Sequence, residues 1–95
     1  MATNIDLPCS ATDVGDQRIN KVPETVTFRV TGGSCIFRSF NFIGSVDGFS
    51  EPTFYPDFRS VSYAYDGTSI PTGYGFSYVT TDPDKGNGSG VIKNK

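Results

Sequence analysis

The segment Glu24–Val30, ETVTFRV, alternates without a break. Val26, Phe28 and Val30 fall on one face, and Thr25, Thr27 and Arg29 on the other. A period of two marks a β-strand with one buried and one wet face. Composition extends that reading to the whole chain. Its 95 residues include one Leu, one Met, one Gln, two Glu and three Ala, the types that lose least entropy in a helix. Against them stand ten Thr, ten Ser, eight Val, six Ile, eight Phe and five Tyr. β-branched and aromatic side chains suit a pleated, half-buried surface. Leu, Ile, Val and Phe make up 23 of the 95 residues, above the roughly 20% below which chains tend to stay unfolded.

Gly32-Gly33 follows the alternating strand and predicts a hairpin turn with positive φ. The return strand, CIFRSFNF (35–42), has no clean parity: Cys35 and Phe37 are odd, Ile36, Phe40 and Phe42 even. A β-bulge near Arg38-Ser39 resolves this by switching which parity faces inward. The alternative is a strand buried on both faces, inside a sandwich or at an oligomer interface. The bulge is favoured because it delivers Arg38, Ser39 and Asn41 to solvent.

Two further strands follow from FRSVSYAY (58–65) and YGFSYVT (74–80). The expected fold is all-β: a small antiparallel β-sandwich or partly open barrel with four core strands plus short edge strands. Residues 1–81 are expected to form a single β-domain, with 1–23 as an N-terminal arm and 24–81 as its core. NIDL and RINKV supply short strands in the arm. Residues 82–95, rich in Gly, Asn and Lys, are expected to be a flexible tail, with Val91-Ile92 able to dock at an edge.

Cys9 and Cys35 would close a loop whose bridge adds roughly 3–4 kcal/mol on the chain-entropy model; two buried free thiols are the other reading. With no His and only two Cys, neither a metal site nor a cofactor is expected. The N-terminus has neither a basic segment nor an apolar run, so no signal peptide is expected there. An extracellular or virion setting is nevertheless favoured over the cytoplasm.

Catalysis is not expected. The usual general base is missing, and a serine or cysteine nucleophile would have no imidazole partner. Glu51 and Asp57 share a loop, but most of the acids sit in turns, where Asp serves the backbone. TGYG (72–75) lacks the membrane helices that a potassium filter needs. DPDKGNG (82–88) lacks the third oxygen and the bidentate Glu of a calcium loop. Asn87-Gly-Ser is a formal glycosylation sequon.

Two features point to recognition. Arg29, Arg38 and Arg59 fall within strands while the acids fall in loops, which would give an acidic protein one Arg-bearing sheet face. The long connection 44–57 carries Phe49, Phe54 and Tyr55. In a simple meander these share one end of the molecule, with Ile70 and Tyr74 at the other. The function expected is a non-enzymatic protein-binding module, such as a secreted effector, an inhibitor or an adhesive domain. A structural subunit of a virus or phage particle, built by self-assembly, is the alternative. A glycan-binding platform of Tyr63, Tyr65, Tyr74 and Tyr78 is weaker, since these are also core candidates. Nucleic acid is not an expected partner at a net charge of −2. No apolar run is long enough to span a membrane.

Overall fold

The structure, a computed structural model, describes residues 2–44 and 46–95. Met1, and Ser45 in the 44–57 connection, lie outside the described residues. Eight strands run in chain order: β1 (Ala2–Pro8), β2 (Asp13–Ile19), β3 (Pro23–Thr31), β4 (Phe37–Phe42), β5 (Thr53–Phe54), β6 (Ser60–Asp66), β7 (Tyr74–Thr80) and β8 (Asn87–Asn94). They form two four-stranded sheets, ordered β1-β3-β6-β5 and β2-β8-β7-β4. The four expected core strands are β3, β4, β6 and β7.

The all-β sandwich is as expected, but the sheets are mixed rather than purely antiparallel. β1 pairs parallel with β3, and β2 parallel with β8. The chain crosses from one sheet to the other after β1, β2, β3, β4 and β6, so only β5–β6 and β7–β8 are hairpins. β1 and β3 are separated by a strand of the opposite sheet, and so run in the same direction. Gly32 and Gly33 do take positive φ, 74° and 122°, yet they carry the chain across the sandwich instead of folding it back.

Ten aromatic residues of the core and its margins bind the sheets together through edge and stacked contacts. Phe28 of the first sheet lies 4.4 Å from Phe40 and 5.3 Å from Phe76 of the second, measured between ring centres. Phe40 stacks on Phe76 at 5.3 Å and meets Tyr63 at 5.9 Å. The two parities of CIFRSFNF are explained by a register shift between Phe37 and Ser39, which makes Arg38 the extra residue of a bulge. Cys35, Phe37 and Phe40 are buried, while Ile36, Arg38 and Asn41 are exposed.

The arm is integral to the sandwich. Leu7 and Ile19 are fully buried. A disulfide joins Cys9 to Cys35, with Cα atoms 5.5 Å apart, and ties the exit of β1 to the entry of β4. Glu24 continues the inward parity of β3 and is buried, with one carboxylate oxygen accepting from the Thr3 hydroxyl.

The segment expected to be a flexible tail is instead an interior strand. β8 is paired on one side with β7 and on the other with β2. Its glycines are steric rather than loosening. A Cβ at Gly88 would lie 2.5 Å from Tyr78 Cε1, and one at Gly90 would lie 2.5 Å from Phe76 Cζ. The rings of β7 lie across β8 where side chains are missing, and Ile92 is fully buried beyond them.

Two outcomes follow. Gly90→Ala overfills this contact, where Val14 Cγ2 also lies 2.7 Å from the added carbon. It should destabilise the fold by about 3 kcal/mol in urea titration, at the upper end of overpacking costs. Burial, and secondarily the Glu51 carboxylate, push the Tyr63 phenol up to about 12. The unfolded chain loses this proton near its ordinary value of about 10 while the folded chain keeps it. That stability is present below pH 10 and is lost as pH rises toward 12. Unfolding curves across this window should show the loss, and Tyr63→Phe should reduce it. Tyr78 is also raised by burial, so some alkaline sensitivity should remain.

Candidate functional site: an aromatic turn

The turn Tyr55-Pro56-Asp57-Phe58 joins β5 to β6. Proline presets φ at its second position, and the Phe58 N–H donates to Tyr55 O at 2.8 Å. The next residue of such a hairpin loop needs the left-handed conformation, normally supplied by glycine. Here Phe58 takes it, with φ of 55°, and it is the one non-glycine residue with positive φ among the described residues. For an L-residue this costs roughly 1–2 kcal/mol. The surroundings fix it in place. Phe58 O accepts from the Phe37 N–H at 2.7 Å, and Asp57 Oδ1 accepts from the Arg59 N–H at 3.0 Å.

Three large aromatic side chains gather here. Phe54 is 37% exposed, Tyr55 45% and Phe58 50%. Phe54 and Phe58 lie 6.2 Å apart between ring centres. The Tyr55 hydroxyl accepts from Ser62 at 3.3 Å, which directs that ring along the outer face of the first sheet. Exposed Ile36 precedes Phe37, the residue bonded to Phe58, and exposed Arg38 follows it. The turn and the start of β4 therefore share one end of the sandwich.

The other expected site residues are placed differently. Phe49 does not join Phe54 and Tyr55. It stacks on Tyr65 at 4.8 Å, contacts Phe42 at 5.1 Å and lies 6.3 Å from Tyr74, at the opposite end. The simple meander placed the 44–57 loop at one end. In fact residues 48–55 run the length of β6, from the Phe49–Tyr65 bridge to the Phe54–Val61 pair. Phe49 thus closes the end that Phe54 leaves.

The Arg-bearing face is not a free basic surface. Arg29 donates to Asp6 Oδ1 through Nη2 at 2.8 Å and Nε at 3.1 Å. Arg59 is a structural staple: its Nη2 donates to Val30 O at 3.1 Å and to Gly33 O at 2.9 Å. Arg38 sits on the second sheet, so the three guanidinium groups do not share a face. Tyr63, Tyr65 and Tyr78 are buried and Tyr74 is half-buried, so the proposed stacking platform lies in the core. Cys9 and Cys35 are paired as a disulfide.

By sequence, the FRSVSYAY pattern makes Phe58 the first residue of a strand, whereas β6 begins at Ser60. The signal that could have placed it is the Tyr-Pro-Asp-Phe order, with proline and aspartate where a turn wants them. The glycine expected next is replaced by phenylalanine.

Two substitutions separate core from surface here. Phe49→Ala should cost about 3 kcal/mol of unfolding free energy, as truncation of a packed aromatic does. Phe58→Gly should leave stability equal or raise it by up to about 1 kcal/mol, because glycine adopts the required φ without penalty. Chemical denaturation of both variants reads the contrast directly.

No protein-family model matches the sequence, and no curated protein matches it. Among solved structures, the chain is similar to the crystal structure of the cysteine protease inhibitor EhICP2 from Entamoeba histolytica. Identity is 12%, the TM-score is 0.46, and 97% of each chain is covered. So loose a likeness carries nothing about what this chain binds.

Proposed function

We propose that this chain is a non-enzymatic protein-binding module whose contact surface is the Phe54–Phe58 turn with Ile36 and Arg38 beside it. The observation that carries this is Phe58: a large apolar side chain, half exposed, in a backbone conformation that favours glycine. Strain of this kind is held where the surroundings over-determine it, and it often marks a functional site. Hydrogen bonds from the Tyr55, Phe58, Phe37 and Arg59 N–H groups and from the Ser62 hydroxyl hold the turn, so its side chains lose little further freedom on binding. Rigid aromatic side chains with an adjacent arginine match the residues that dominate protein interfaces. Partner recognition then rests on apolar burial of Phe54 and Phe58, with the Tyr55 hydroxyl and Arg38 supplying direction.

The test begins with affinity capture from an extract of the source, comparing the wild-type chain with Phe58→Gly. A partner retained by the former and lost by the latter is then purified and titrated. Phe58→Gly should weaken binding at least tenfold while unfolding at the same denaturant concentration or higher. Unchanged affinity in Phe58→Gly and in Phe54→Ser would overturn the assignment of this turn.

A further inference from the structure

The end of the sandwich opposite the aromatic turn gathers half of the protein's cations. Of eight Lys and Arg residues, Arg18 and Lys93 are register partners on β2 and β8. Lys95 lies beside them, its N–H donating to Ile19 O at 3.0 Å. Lys21 follows Ile19 by two residues. The carboxylate that pairs with this group is Asp16, whose Oδ2 lies 3.1 Å from Lys93 Nζ and 3.9 Å from Arg18 Nη2. Among the described residues Asp16 is the carboxylate within ion-pair distance of Arg18 and Lys93, while Asp66 and buried Glu24 lie at the same end on the first sheet.

Two of these cations, Arg18 and Lys93, border a cleft of about 310 Å³ completed by Pro71, Thr72, Gly73 and Asn94. Its shape depends on Gly73, which has φ of 92° and packs against the β8 side chains. A Cβ there would lie 2.7 Å from Val91 Cγ1 and 3.2 Å from Lys93 Cγ. The floor is fixed by Asn94, which accepts from the Ile70 N–H through Oδ1 at 2.8 Å and donates to the Tyr65 hydroxyl at 3.2 Å. Arg18 Nη1 donates to Asn94 O at 2.9 Å, which anchors one arm of the guanidinium, while Nη2 lies on the Asp16 side at 3.9 Å.

We infer that this cleft is an oxyanion site, taking a carboxylate or a phosphate group between Arg18 and Lys93, with the Thr72 hydroxyl as a further donor. Arginine supplies a planar fork and lysine a mobile point charge, a combination suited to an anion with several oxygens. Asp16 occupies the same two cations in the unliganded chain, so an incoming anion competes with it. This site stands apart from the aromatic turn. The two ends are separated by the length of β6, about 20 Å at 3.3 Å per residue, and either reading can fail alone.

The test is a nuclear magnetic resonance titration of the intact chain, with inorganic phosphate in one arm and a hexaglutamate peptide in the other. Amide shifts should saturate and centre on Thr72, Gly73, Lys93 and Asn94. The double variant Arg18→Gln/Lys93→Gln should weaken binding at least tenfold, equivalent to about 1.4 kcal/mol. Lys85→Gln, at the far end, should leave it unchanged. Asp16→Asn should tighten binding by removing the competing carboxylate. Saturation with phosphate alone identifies a phosphate site, and saturation with the peptide alone identifies an acidic segment of a partner. Shifts that fail to saturate in both arms, or that persist equally in the double variant, would overturn the site.

Discussion

The sandwich depends on one contact, the meeting of Phe28 and Tyr63 from one sheet with Phe40 and Phe76 from the other. All four rings lie within about 6 Å of a neighbour across the gap. In a chain this short, burial is limited and each large side chain counts. Phe28 and Phe76 are fully buried, and Phe40 and Tyr63 nearly so. Everything else about the fold can be seen as a means of bringing these rings together. The bulge at Arg38 lets Phe37 and Phe40 both face inward despite their opposite parity. The glycines of β8 clear space for Phe76 and Tyr78. The disulfide fixes the point where β1 leaves one sheet and β4 enters the other.

That economy separates aromatic residues that hold the fold from those that do not. Phe49 and Phe54 lie five residues apart on a single segment along the edge of β6, yet one stacks in the core and the other faces solvent. Glu51 and Pro52, between them, interrupt the pairing, so the segment bonds to β6 at both ends. An interrupted edge of this kind resists further strand addition. On the proposed reading, recognition then falls to the side chains of the turn that follows rather than to the backbone of the sheet edge.

Strand periodicity was legible in the sequence wherever one face was wet and the other dry. β3, β6 and β7 follow from alternation alone, and the bulge in β4 follows from the break in it. Topology was not legible. A glycine pair such as Gly32-Gly33 announces positive φ, but the same conformation serves a hairpin or a crossing between sheets. Which one forms depends on the partners of β1 and β8, whose patterns are weak. β8 was the furthest from expectation, because its inward positions include Gly88 and Gly90. A residue with no side chain carries no apolar signal, and the burial there is provided by rings that belong to β7. The same limit hid the cation cluster. Arg18 and Lys93 are 75 positions apart in sequence and become neighbours only through the parallel pairing of β2 with β8.

The parallel pairs also explain why the two ends of the molecule differ in chemistry. Each crossing between sheets places its loop at one end or the other, and strand direction decides which. β2 and β8 finish together, so their terminal cations Arg18, Lys93 and Lys95 accumulate at a single end, where like charges are held close by backbone hydrogen bonds they did not choose. Repulsion among them is relieved by Asp16 and by solvent. A bound oxyanion would relieve it further. The opposite end receives the turn after β5 and the start of β4, and with them the exposed aromatic residues. An apolar surface and a cationic cleft, about one strand length apart on a rigid support, follow from the order in which the strands were laid down.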